Sequence, residues 1–134
     1  MHRPGSALAA SLVLSVAVVG GCSSSADGGL PAVGDFRAGD CQTIAPDLLS
    51  IARDAGALGT AAAPPQQVRD SLKTAQDRIR AVQPGLETDL AAPVGALVVA
   101  VAAVRLRSDT KSFVPSLGTE LSAANRAVID LCTG

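Results

Sequence analysis

A chain of 134 residues with 11 Lys+Arg against 12 Asp+Glu, one His and 1% aromatic residues has room for one domain and few kinds of chemistry. Its net charge of −1 excludes the strongly basic footprint of a nucleic-acid-binding domain and a polybasic membrane patch.

The first 21 residues have the layout of a secretory leader. Arg3, with His2, makes a positive start, and Ala7 to Val19 is an uninterrupted run of apolar and small residues. That run is too short to cross a bilayer as a stable helix, which takes about 20 apolar residues. It ends in Gly20 and Gly21, with Cys22 next, and carries no charged stop signal.

The residues Val19, Gly20, Gly21 and Cys22 resemble the lipobox of bacterial lipoproteins. Val19 matches the branched position three before the cysteine and Gly21 the small residue before the cut, whereas Gly20 is a less usual occupant of the middle position. The resemblance covers the leader and Cys22. It implies that residues 1–21 are removed, that the Cys22 thiol carries a diacylglyceryl group, and that the new N-terminus is acylated with a palmitate-type chain. It also implies a protein held by that lipid on the extracytoplasmic face of the cell membrane. Each buried methylene adds about 0.8 kcal/mol, so two or more chains anchor durably. The Ala-, Arg-, Gly- and Val-rich composition and the layout of the remainder look similar to small helical actinobacterial lipoproteins, a likeness that brings no function with it.

A thioether at Cys22 cannot form a disulfide. Cys41 and Cys132 then remain as an even pair in an oxidising compartment, and they are expected to bond to each other. Closing so long a loop stabilises a fold by roughly 4–5 kcal/mol in the chain-entropy picture.

From Cys22 to Asp40 the chain is rich in Ser, Gly and Pro and reads as a flexible tether. Residues 41–134 read as the folded unit. Four helical patterns follow, with no strand-like alternation. The first, Cys41 to Gly56, aligns Ile44, Leu48, Ile51 and Ala55, with Pro46 expected in its first turn. The second, Pro65 to Gln83, carries the unbroken stripe Val68, Leu72, Ala75, Ile79 and Val82, and Pro84 and Gly85 end it. The third, Leu86 to Arg107, aligns Leu86, Leu90, Val94, Leu97, Val101 and Val104. No charge falls between Ala91 and Val104. A membrane span is one reading of that segment. Its length, Pro93 and Gly95 favour a core helix enclosed by its neighbours, with Pro93 either kinking it or marking its first turn. The fourth, Ser112 to Cys132, is striped by Val114, Leu117, Leu121, Ala124, Val128 and Leu131, with Pro115 in its first turn.

The expected fold is therefore all-α, a small up-down antiparallel four-helix bundle. Cys41 opens the first helix and Cys132 closes the fourth. In that topology, and not in a three-helix one, those ends meet. The core is Ala, Val and Leu, with Phe113 its expected aromatic.

Removing residues 1–21 takes away the only His and the only Met, and the chain has no Trp or Tyr. Ser-His-Asp and Cys-His catalysis then lack a base. His-based zinc, copper and iron sites lack a ligand, as does haem. No phosphate-cradling glycine motif occurs, and stacking platforms for bases or sugars lack their rings. Asp40, Asp47 and Asp54 recur every seven residues, a column that a paired-acid or calcium site would require. The plainer reading is a solvated face balanced by Arg53 and its neighbours. Lys73 with Asp77 reads as a surface pair.

These residues point to no enzyme, no cofactor and no metal. The expectation is a non-enzymatic accessory or interaction module of the cell envelope, attached to the membrane through Cys22 and meeting an envelope protein, with no nucleic acid. An exposed apolar strip on the first or fourth helix would favour that role. The alternatives are a carrier of a lipid or other apolar ligand, which requires a dry cavity lined by residues such as Leu97, Val101 and Leu121, and a phage-type exclusion lipoprotein.

Overall fold

The computed structural model describes residues 29–59 and 62–134; the expected leader, Cys22 and the Ser-rich start of the expected tether lie outside them. The described residues form four α-helices and no strand: α1 (Asp40–Leu58), α2 (Gln66–Val82), α3 (Thr88–Asp109) and α4 (Ser116–Thr133). Single 3₁₀ turns occupy Val33–Asp35 and Gln83–Gly85.

The helices form a ring in which α1 packs on α2 and α4, and α3 on the same two. Their directions follow from contacts at the two poles. At one pole Cys41 and Cys132 lie at disulfide distance, their Cα atoms 5.4 Å apart. There too the Asp40 carboxylate accepts the Glu87 backbone N–H at 2.8 Å, which joins the starts of α1 and α3. At the other pole the end of α1 meets the start of α4, where Leu58 lies against Gly118. The chain is thus an up-down antiparallel four-helix bundle.

Each helix presents its stripe to a common core. Ile44, Leu48 and Ile51 of α1, Leu72 and Ile79 of α2, Leu90, Leu97 and Val101 of α3, and Leu121 and Val128 of α4 are buried. Small side chains bury little area each, at about 25 cal/mol per Å², so the bundle depends on every large one.

Local chemistry shifts several expected boundaries. α1 begins at Asp40, after Gly39 with φ 88°, a left-handed turn that glycine adopts without steric cost. Pro46 therefore stands in the second turn instead of the first. The Gln42 carbonyl loses its usual i+4 donor, and both residues are exposed, so solvent can take the donor's place. α1 also runs past Gly56 to bury Leu58. Pro93 neither starts nor stops α3, which continues through it. α4 starts only at Ser116, with Pro115 at its N-cap, and this leaves Val114 exposed instead of on the stripe.

α3 ends without glycine. Lys111 takes φ 54°, the Ser112 N–H donates to the Arg107 carbonyl at 2.8 Å, and the Lys111 N–H donates to the Ser108 carbonyl at 3.2 Å. This is a Schellman stop, normally closed by glycine.

The largest departure concerns the tether. From Leu30 onward it is folded against the bundle. Phe36 is 3% exposed and Leu30 packs on the core. The Arg37 N–H donates to the Cys132 carbonyl at 2.8 Å, and the Arg37 guanidinium meets Asp89 of α3 at 3.0 Å. The Gln42 side chain donates to the Phe36 carbonyl at 3.3 Å. Phe36, and not Phe113, is the fully buried aromatic; Phe113 only borders the core.

Candidate functional site

Cys22 lies outside the described residues. Cys41 and Cys132 are buried together at the pole just described, 1% and 0% exposed, and they face no cleft.

The acidic column on α1 is three separate arrangements. Asp40 caps the start of α3 through Glu87. Asp47 is 8% exposed, and its carboxylate lies 3.6 Å from the Arg78 guanidinium of α2. Burial raises its pKa above the ordinary value, while Arg78 opposes the shift. Asp54 is half-buried beside α2, and its Oδ2 has no hydrogen-bond partner. Burial also raises the Asp54 pKa, against the Ser71 hydroxyl and Arg53. Seven helical residues separate neighbouring acids by about 10 Å, too far for one cation or one shared proton. Two of the three expected solvent-facing acids are instead turned into the α1–α2 seam. Among the described residues no three metal-ligating side chains gather.

Two polar arrangements cross between helices. Gln76 of α2, 1% exposed, donates to the Val98 carbonyl of α3 at 3.2 Å and accepts from Arg105. Asn125 of α4, 2% exposed, donates to the Leu48 carbonyl of α1 at 2.9 Å. Its Oδ1 is left unpaired.

Clefts open on the surface of the described residues. One, of about 700 Å³, lies between α1 and α4 under the N-terminal strap and is lined by Leu30, Pro31, Ala52, Arg126 and Ile129 among others. Another, of about 180 Å³ between α2 and α3, holds Arg69, Lys73 and Arg105 with Asp70 and Asp109. Within it Arg69 lies against Asp109 at 3.6 Å. Lys73 also makes the expected pair with Asp77, at 2.6 Å. Neither cleft is lined by Leu97, Val101 or Leu121, which are fully buried.

The feature that stands apart is the outer face of α3. A ring of four helices encloses none of them, so the helix that is apolar all round turns half of its surface outward. Val99 is 69% exposed and Leu106 62%. Ala92 and Ala96 are exposed and Ala103 partly so. These five residues recur at intervals of four, three, four and three, a heptad seam on the side opposite the core. The expected apolar strip therefore exists, on α3 instead of α1 or α4. Its signal was the charge-free run from Ala91 to Val104, more than one buried face requires.

No family model, curated protein or solved structure matches the chain.

Proposed function

We propose that the protein is a lipid-anchored extracytoplasmic lipoprotein whose bundle is a non-enzymatic interaction module of the cell envelope. The lipobox-like residues Val19 to Cys22 support the anchor. The observation that carries the role is the exposed apolar seam of α3, with Val99 69% and Leu106 62% exposed. An apolar helix face left in water costs free energy that only a partner recovers.

The carrier reading finds no support in the packing, because Leu97, Val101 and Leu121 are sealed in the core. Mass spectrometry of full-length protein extracted from membranes tests the anchor. The expected result is an N-terminus at Cys22 with added acyl mass, and release of a Cys22→Ala variant from the membrane fraction. An unmodified Cys22 overturns it.

A further inference from the structure

The seam on α3 has a size, a pattern and a charge distribution, and together they select an occupant. α3 has 22 residues, so it is about 33 Å long. The seam from Ala92 to Leu106 covers about 21 Å of it and, at about 10 Å wide, offers on the order of 200 Å² per side. The total is then roughly 400 Å², below the roughly 1,200–2,000 Å² of a stable complex between free proteins. Such a face is occupied only when its partner is concentrated nearby. On the reading that Cys22 is lipidated, copies of this chain share one surface, and another copy is the partner always present there.

The pattern fits self-pairing. Ala92, Ala96, Val99, Ala103 and Leu106 make a short a/d seam, and it reads as a seam in either chain direction. In an antiparallel pair centred near Val99, Leu106 of each copy lies opposite Ala92 of the other, and Val99 meets Val99 at the axis. Alanines let the axes approach toward the short end of the 8–10 Å range.

The charges set the direction. Within the seam there are none, and at its ends they are opposite. Glu87 and Asp89 stand at the start of α3, where the two share the single cation Arg37 and leave an excess of negative charge, and Arg107 at its end is exposed, with no side-chain partner among the described residues. Antiparallel pairing brings each Arg107 toward the acidic end of the other copy and opposes the helix dipoles. Parallel pairing stacks like charges. We infer that α3 pairs with α3 of a second copy, antiparallel about a two-fold axis near Val99, when the protein is held on a membrane. This inference deepens the interaction-module reading and rests on it.

The test places a photoreactive benzoylphenylalanine at position 99 of the full-length, membrane-bound protein, with Ser122 on α4 as the control position. The expected result is a covalent homodimer at twice the chain mass from position 99 and none from 122. Ala96→Arg, at an exposed position, should lower the position-99 dimer at least tenfold while the helical circular dichroism is kept. Adducts only to another protein overturn self-pairing and leave the interaction-module reading standing. Adducts only to lipid overturn self-pairing in favour of a face laid on the bilayer. No adduct at all overturns both.

Discussion

The amide of Asn125 reaches from α4 to donate 2.9 Å to the carbonyl of Leu48 on α1, while its own carbonyl oxygen is buried without a partner. One bond made contributes about 1 kcal/mol, and one buried acceptor left unpaired costs about 1–3 kcal/mol. The amide is therefore not a net stabiliser. Asn125→Leu, similar in volume, is expected to fall within about 1 kcal/mol of the wild type or above it. Asn125→Asp should cost about 3 kcal/mol or more at neutral pH, since a buried carboxylate would face a carbonyl. That loss should recover in acid, as the carboxyl protonates and can donate. Urea denaturation of the two variants decides it; a Leu variant more than about 2 kcal/mol below wild type would show that the bond dominates.

Asp54 gives the chain a pH dependence of definite sign. Burial raises its folded pKa, so between its ordinary value and the raised one the native state holds more proton than the unfolded chain. Stability then falls as pH rises through that window, and the loss is complete above the folded pKa. Asp54→Asn removes the charge and keeps the shape. Its melting temperature should exceed the wild type's at pH 7, and the gap should close as pH approaches 4. A gap that is constant or widens in acid would contradict the assignment. Asp47→Asn should shift stability with the same sign, because burial raises the Asp47 pKa as well, with the attraction of Arg78, 3.6 Å away and itself 68% exposed, opposing the gain.

Lys111 is the one non-glycine residue with positive φ among the described residues. A side chain there costs about 1 kcal/mol relative to glycine. Lys111→Gly should therefore raise stability by about 1 kcal/mol, several degrees of Tm in a domain of this size. An unchanged Tm would mean that the added freedom of the unfolded glycine cancels the relief.

Gly118 is a packing glycine. A Cβ placed on it would stand 3.0 Å from the Leu58 Cβ and 3.7 Å from the Leu58 backbone carbon. Leu58 is fully buried and cannot retreat cheaply. Gly118→Ala should destabilise the bundle by about 1–3 kcal/mol despite the better helix propensity of alanine. Leu58→Gly, which removes the opposing Cβ, should cost less in the Gly118→Ala background than in the wild type, and additivity in the double mutant would argue against the contact.

The stripe Val68, Leu72, Ala75, Ile79 and Val82 made α2 legible at once, because a single face of a single helix is what periodicity reports. The cysteine positions made the topology legible, since only an even number of antiparallel helices returns Cys132 to Cys41. The strap was not legible: Leu30 and Phe36 sit in a Ser/Gly/Pro stretch with no period, and an isolated aromatic residue was the one signal. The Lys111 stop was hidden for a related reason, as its residue type does not declare a left-handed backbone. The seam on α3 was visible as excess apolar residues, but which side of the helix faced out depended on how many neighbours it had. The turning of Asp47 and Asp54 into the α1–α2 seam likewise depended on the rotation of α1, which the sequence leaves open by one helical step.

The docking of the strap sets how far the bundle could work from an anchor at Cys22, as proposed. If the chain were free from Cys22 to Asp40, its contour would extend to about 60 Å. With residues from Leu30 onward secured to the bundle, eight residues remain, and they span at most about 28 Å. The domain itself adds the length of its longest helix, about 33 Å. On the proposed anchor at Cys22, whatever meets this protein must come within about 60 Å of the bilayer, so its encounters would belong to a thin layer of space beside the membrane and not to the depth of the envelope.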